Sequence, residues 1–141
     1  MRILFFIFIL VLEMTPMSTA ETLTSSVLKP CPASPNCVCS LDSDKKHAIE
    51  PLFYGDQKDL WQRLKEMIKE MPRTTLISES EDYLHYEFRT RFLRFKDDVE
   101  IWNDHENRKL HFRSASRIGY SDLGTNRRRV ERMKSKILKL K

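Results

Sequence analysis

The residues with most chemical potential lie between Ser114 and Arg129. Hydroxyls come from Ser114, Ser116, Ser121 and Thr125, planar cationic donors from Arg117, Arg127 and Arg128, and Arg113 stands just before them. Tyr120, Asp122 and Asn126 complete the set, and Gly119 and Gly124 allow a backbone with positive φ. A strand feeds this stretch and a helix leaves it, so free N–H groups at the helix start would add partial positive charge. Such a set suits an anion: a phosphate, a carboxylate or a sulfated group. The candidate ligand-binding residues are Arg113, Ser116, Arg117, Tyr120, Ser121, Asp122, Asn126 and Arg127. A structural reading competes with this one: Asp122 or Asn126 caps the helix, and Arg117 pairs with Asp97 or Asp98. The spacing matches neither a phosphate-binding P-loop nor a dinucleotide fingerprint.

A second constellation is the polar alternation of three strands. His85, Glu87, Arg89, Asp98, Glu100, His111 and Arg113 converge on one face if the strands pair in sequence. Glu87 and Asp98 with His85 or His111 would then offer the carboxylates and base of a hydrolase. The plainer account is a face of cross-strand ion pairs, each contributing a few tenths of a kcal/mol. Ser121 lacks a Gly-x-Ser-x-Gly elbow and makes a poor nucleophile. No catalytic residue and no cofactor is therefore assigned.

Cys31, Cys37 and Cys39 sit among Pro30, Pro32 and Pro35, which keep the segment out of helix and central strand. In an oxidising compartment a disulfide is the default. Cys37–Cys39 would close a small, strained ring. Cys31–Cys37 is preferred, with Cys31–Cys39 next. A thiolate metal site would need a fourth ligand, for which only His47 stands near, and no metal ligands are assigned. The Cys-x-x-Cys spacing of a redox pair is absent.

These groups need a scaffold. With 141 residues there is room for one domain. Asp56 is placed to cap a helix whose apolar stripe is Leu60, Trp61, Leu64, Met67, Ile68 and Met71, and Pro72 ends it. Strand patterns follow at 74–78, from Tyr83 to Arg89, at 97–102 and at 109–113, with a break near Phe92 and Leu93 and a turn at 103–107. Val130, Met133, Ile137 and Leu140 give the final helix, from about Asn126, a second stripe. The expected architecture is a two-layer α+β domain over 51–141: an antiparallel four-stranded meander with a helix before it and a C-terminal helix after it, both packed on one face. Residues 21–50 read as an extended N-terminal arm carrying the cysteine loop.

The leader is legible as well. Arg2 precedes an apolar run from Ile3 to Leu12, and Ser18-Thr19-Ala20 sets small residues for cleavage before Glu21. Residues 1–20 are thus read as a signal peptide, and the protein as periplasmic or secreted. The formal charge of +5 is concentrated: Asn126 to Lys141 holds eight basic residues and one acid, a net +7 that leaves −2 elsewhere. Export and the lack of a broad basic surface argue against nucleic acid, whereas the basic helix suits contact with an anionic membrane surface.

Three segments carry a family resemblance: SPNCVCS at 34–40, RFKDDVE at 94–100 and RSASRIGYSDLGTNRRRVE at 113–131. They resemble the signature segments of the domain of unknown function 1499 family, over roughly residues 30–138. The resemblance implies a small exported or membrane-associated bacterial domain, with relatives in plastids and no established activity. The family pattern commonly has Ser where Cys39 stands here, which implies Cys31–Cys37 as the pair. The functional expectation is a non-catalytic binding module at the envelope, for an anionic small molecule or an envelope protein. A hydrolase and a purely structural component are the alternatives.

Overall fold

The computed structural model describes residues 27–140; the expected leader lies outside the described residues. Eight elements follow in order: β1 (Cys37–Cys39), β2 (Leu52–Phe53), α1 (Leu60–Lys69), β3 (Thr74–Glu79), β4 (Tyr83–Arg89), β5 (Lys96–Asp104), β6 (Lys109–Ser116) and α2 (Thr125–Lys139). The expected antiparallel meander is β3-β4-β5-β6, with both helices against one face.

The alternation of apolar residues builds this sheet. Leu84, Tyr86 and Phe88 of β4 point to the same side as Val99 and Ile101 of β5 and as Leu110 and Phe112 of β6. Leu84 lies opposite Ile101, which in turn lies opposite Phe112, so one apolar row crosses three strands. On this row rest Leu60, Leu64, Met67 and Ile68 of α1 and Val130, Met133 and Ile137 of α2. All of these are buried. Each such side chain contributes about 1.5–3 kcal/mol by leaving water. Leu140, counted in the α2 stripe from sequence, lies past the helix at its C-cap and is more than a third exposed.

Two short strands extend the meander. β1 pairs with the end of β6, Cys37 opposite Ala115 and Cys39 opposite Arg113. β2 pairs with its beginning, Leu52 opposite Leu110. Together they cover the outer edge of β6, and the sheet order is β1-β6-β5-β4-β3 with β2 beside β6. Strands of two and three residues carry no alternation to read; their partner strand makes them.

Several boundaries differ from expectation. The α1 helix begins at Leu60 with Asp59 as its N-cap, and Asp56 instead accepts a hydrogen bond from Arg108. β5 runs on to Asp104 and shortens the turn. β6 runs on to Ser116, so Ser114 to Ser116 are strand rather than loop.

Candidate functional site

At the junction between β6 and α2, the first polar group to consider is the Asp122 carboxylate. It accepts the backbone N–H of Gly124 at 2.9 Å and of Asn126 at 2.7 Å. Donors at the start of α2 that an anion would use are thus held by the chain's own acid. Gly124, the N-cap, has φ 76°, and Leu123 before it also lies in the left-handed region at 52°. Asn126 is fully buried. Its Nδ2 donates to the Asn36 carbonyl (3.0 Å), to Ser116 Oγ (2.9 Å) and to Asp122 (2.8 Å). Its Oδ1 accepts from Ser114 Oγ (2.5 Å) and from Arg129 (2.6 Å). Arg129 also pairs with Asp97, which is 2% exposed.

The sheet face opposite the helices is polar, as the alternation implies. Arg117 grips Asp98 through two N–H groups at 2.8 and 2.9 Å and reaches Glu87 at 2.8 Å. His85 lies 2.7 Å from Asp98. Arg89 and Lys96 close on Glu87 at 2.9 and 3.1 Å. The Arg117 fork holds the Asp98 carboxyl at a pKa of about 2, with His85 adding to the effect. Glu87 is likewise held below the usual range, first by Arg89 and then by Lys96. Arg113 pairs with Glu100 at 2.6 Å, and Tyr83 donates to the same carboxylate at 2.7 Å. His111 stands apart: it stacks on Trp102, its Nδ1 is 3.1 Å from Ser40 Oγ, and burial pushes its pKa down.

Cys31 and Cys37 form a disulfide, and Cys39 is buried as a free thiol whose pKa desolvation raises. With two sulfurs oxidised, a three-thiolate site is excluded. His47 Nδ1 lies 2.9 Å from the Cys37 carbonyl oxygen.

Two clefts open at the end of the molecule where β4 and β6 finish. The first, about 380 Å³, is lined by the β4–β5 loop (Phe92, Leu93, Phe95) and the β6–α2 loop (Ile118, Leu123), with Ser116, Ser121 and Asp122 among them. The second, about 470 Å³, is lined by Arg73, Arg89, Arg91, Arg128, Arg129 and Arg132, with Met71, Pro72, Phe88, Thr90 and Thr125 completing its wall and no acidic residue among the lining. The clefts share Thr90, Arg91 and Thr125, and the ion pair of Asp97 with Arg129 spans the two. Arg89 and Arg129 are paired with acids, whereas Arg73, Arg91, Arg128 and Arg132 have no acidic partner among the described residues.

The eight residues named from sequence are thus divided. Ser116, Ser121 and Asp122 line the apolar cleft. Arg113 and Arg117 are held by carboxylates on the far sheet face, Asn126 is a buried hub, and Arg127 donates to the Lys46 carbonyl at 3.3 Å. Tyr120 is 74% exposed. Glu87, Asp98, His85 and His111 line neither cleft. Sequence reasoning missed the arginine cleft. Its one local signal was the mix of basic and aromatic residues from Arg91 to Phe95, a stretch read as a strand break and, from Arg94, as the start of a family segment. The rest is assembled by the fold, because Arg73 leads into β3 while Arg128 and Arg132 ride on α2.

A family model described as "Protein of unknown function (DUF1499)" matches residues 27–137. No curated protein and no solved structure matches the chain.

Proposed function

We propose, from the premise that the chain belongs to the DUF1499 family of proteins of unknown function, that it is an exported, non-catalytic binding module for an anionic ligand. The ligand sits in the arginine cleft between the first turns of α2 and the β4–β5 loop. One observation carries this reading. Six arginines line one cleft without a carboxylate among them, and four of these have no acidic partner among the described residues. Gathering like charges is unfavourable unless an anion relieves the repulsion, and planar guanidinium forks suit oxyanions.

Other observations support the non-catalytic part. Asp98 and Glu87 are saturated by arginine and lysine, and Asp98 with a pKa of about 2 stays ionised at neutral pH, too weak a base to move protons there. Asp122 and Asn126 serve the junction itself. The disulfide supports the exported part, since such bonds persist in oxidising compartments.

The test is thermal unfolding in the presence of pyrophosphate. Stabilisation that rises with ligand concentration, and that vanishes in Arg128→Ala/Arg132→Ala while the apo melting temperature stays close to wild type, is the expected result. A wild-type protein that pyrophosphate does not stabilise overturns the reading.

A further inference from the structure

The arginine cleft adjoins a feature that a small soluble anion does not need. Two loop tips flank it, and their apolar side chains point outward: Phe92 is 86% exposed, Leu93 70%, Leu123 83% and Ile118 57%. They rim the apolar cleft that shares Thr90, Arg91 and Thr125 with the arginine cleft. Arg91 lies 5.4 Å from the Phe92 ring centre, and Arg94 continues the same loop. Both loops turn on residues in the left-handed region, Arg94 at φ 54° and Leu123 at 52°, which sets these side chains at the tips.

We propose that this end of the molecule docks on an anionic bilayer, with a lipid phosphate in the arginine cleft and the tips of both loops in the boundary between headgroups and acyl chains. The proposal rests on the anion-binding reading above and names its ligand. Apolar tips beside arginines that have no acidic partner among the described residues match both layers of such a surface, since the guanidinium groups meet phosphates where the leucine and phenylalanine side chains meet hydrocarbon. A soluble phosphate would leave the tips in water. A second copy of this chain would set arginine against arginine, for the two acids that line the apolar cleft, Asp97 and Asp122, are already held by Arg129 and by the N–H groups at the start of α2. Among the described residues no helix is long and apolar enough to cross a membrane. The docking places the membrane face at two loops and the start of α2, not along the basic helix as a whole.

The test uses the purified protein with its disulfide intact and vesicles of equimolar phosphatidylglycerol and phosphatidylcholine, with pure phosphatidylcholine as control. Co-sedimentation with the anionic vesicles alone is expected, weakening steeply with salt. In Phe92→Trp the indole emission should shift to the blue on those vesicles. Leu93→Ser and Leu123→Gly should each lower vesicle affinity about tenfold, with the pyrophosphate response kept and the melting temperature not lowered. Each of Arg128→Ala and Arg132→Ala should cost about fivefold and should weaken the pyrophosphate response too. Full vesicle affinity in both tip variants overturns the docking proposal and leaves the anion reading standing. Equal binding to pure phosphatidylcholine overturns the headgroup assignment. A dimer that Leu93→Ser dissociates, in a protein that binds no vesicle, gives the face to a second copy and overturns the proposal. Absence of both vesicle binding and pyrophosphate stabilisation overturns both readings.

Discussion

The side-chain amide of Asn126 donates to the main-chain carbonyl of Asn36 across 3.0 Å, joining the cysteine loop to the first turn of the last helix. The same amide holds Ser114, Ser116, Asp122 and Arg129, so no neighbour can replace it. Asn126→Ala leaves several buried groups unpaired and should lower stability by about 3 kcal/mol, read as a shift in the denaturation midpoint. Asn126→Asp keeps an acceptor but loses the donor and sets a carboxylate against Asp122. Its deficit should therefore widen as pH rises through the carboxylate range.

The grip of Arg117 on Asp98 makes acid stability a direct readout. The Asp98 pKa falls from 3.8 to about 2 on folding, so its contribution is present above 3.8 and is lost as pH drops towards 2. The linked stabilisation at neutral pH is about 2 kcal/mol. Asp98→Asn should lower stability at pH 7 and should flatten the stability profile between those two values. A wild-type profile with no slope in that window counts against the pair.

Reduction should matter locally. Opening the six-residue separation of Cys31 and Cys37 returns about 2 kcal/mol of chain entropy to the unfolded state. Cys39 is 1% exposed and its thiol is pushed up by desolvation, so it should resist a thiol reagent in the native protein and react once denaturant is added. Mass spectrometry of the labelled, unreduced protein should then show one adduct.

Neighbouring residues at the junction should respond with opposite signs. A Cβ on Gly124 would stand 3.0 Å from Arg128 Nη1 in a left-handed backbone, so Gly124→Ala should cost about 1 kcal/mol or more. Leu123 has a similar φ, carries a side chain that is 83% exposed, and gains freedom from strain as glycine. Leu123→Gly should leave the melting temperature unchanged or raise it.

Most of the scaffold was legible because its signal is periodic. Leu84, Tyr86 and Phe88 alternate and Val130, Met133 and Ile137 recur at helical spacing, and each period names a buried face. The caps were less legible. Asp56 and Asp59 both precede the first helix, yet neither side chain caps it: Asp56 pairs with Arg108 and Asp59 with Arg63. The candidate site was half legible. Arg117 with Asp98, and Asp122 at the start of α2, were both visible as structural alternatives in the spacing. The arginine cleft was not, because Arg73, Arg91, Arg128 and Arg132 are scattered along the chain and only the common end of β4, β6 and α2 brings them together. Net charge pointed to one terminal helix and hid the contribution of the 89–96 loop.

The short strands β1 and β2 have a consequence for association. They occupy the outer edge of β6, which leaves β3 as the sheet's longest outer strand among the described residues. Unpaired strand edges are the units by which sheets polymerise. Among the described residues β3 offers six residues of strand at such an edge, against three for β1 and two for β2. Any strand-to-strand growth of this chain would therefore be lopsided, with a long edge on one flank of the sheet and only short ones on the other.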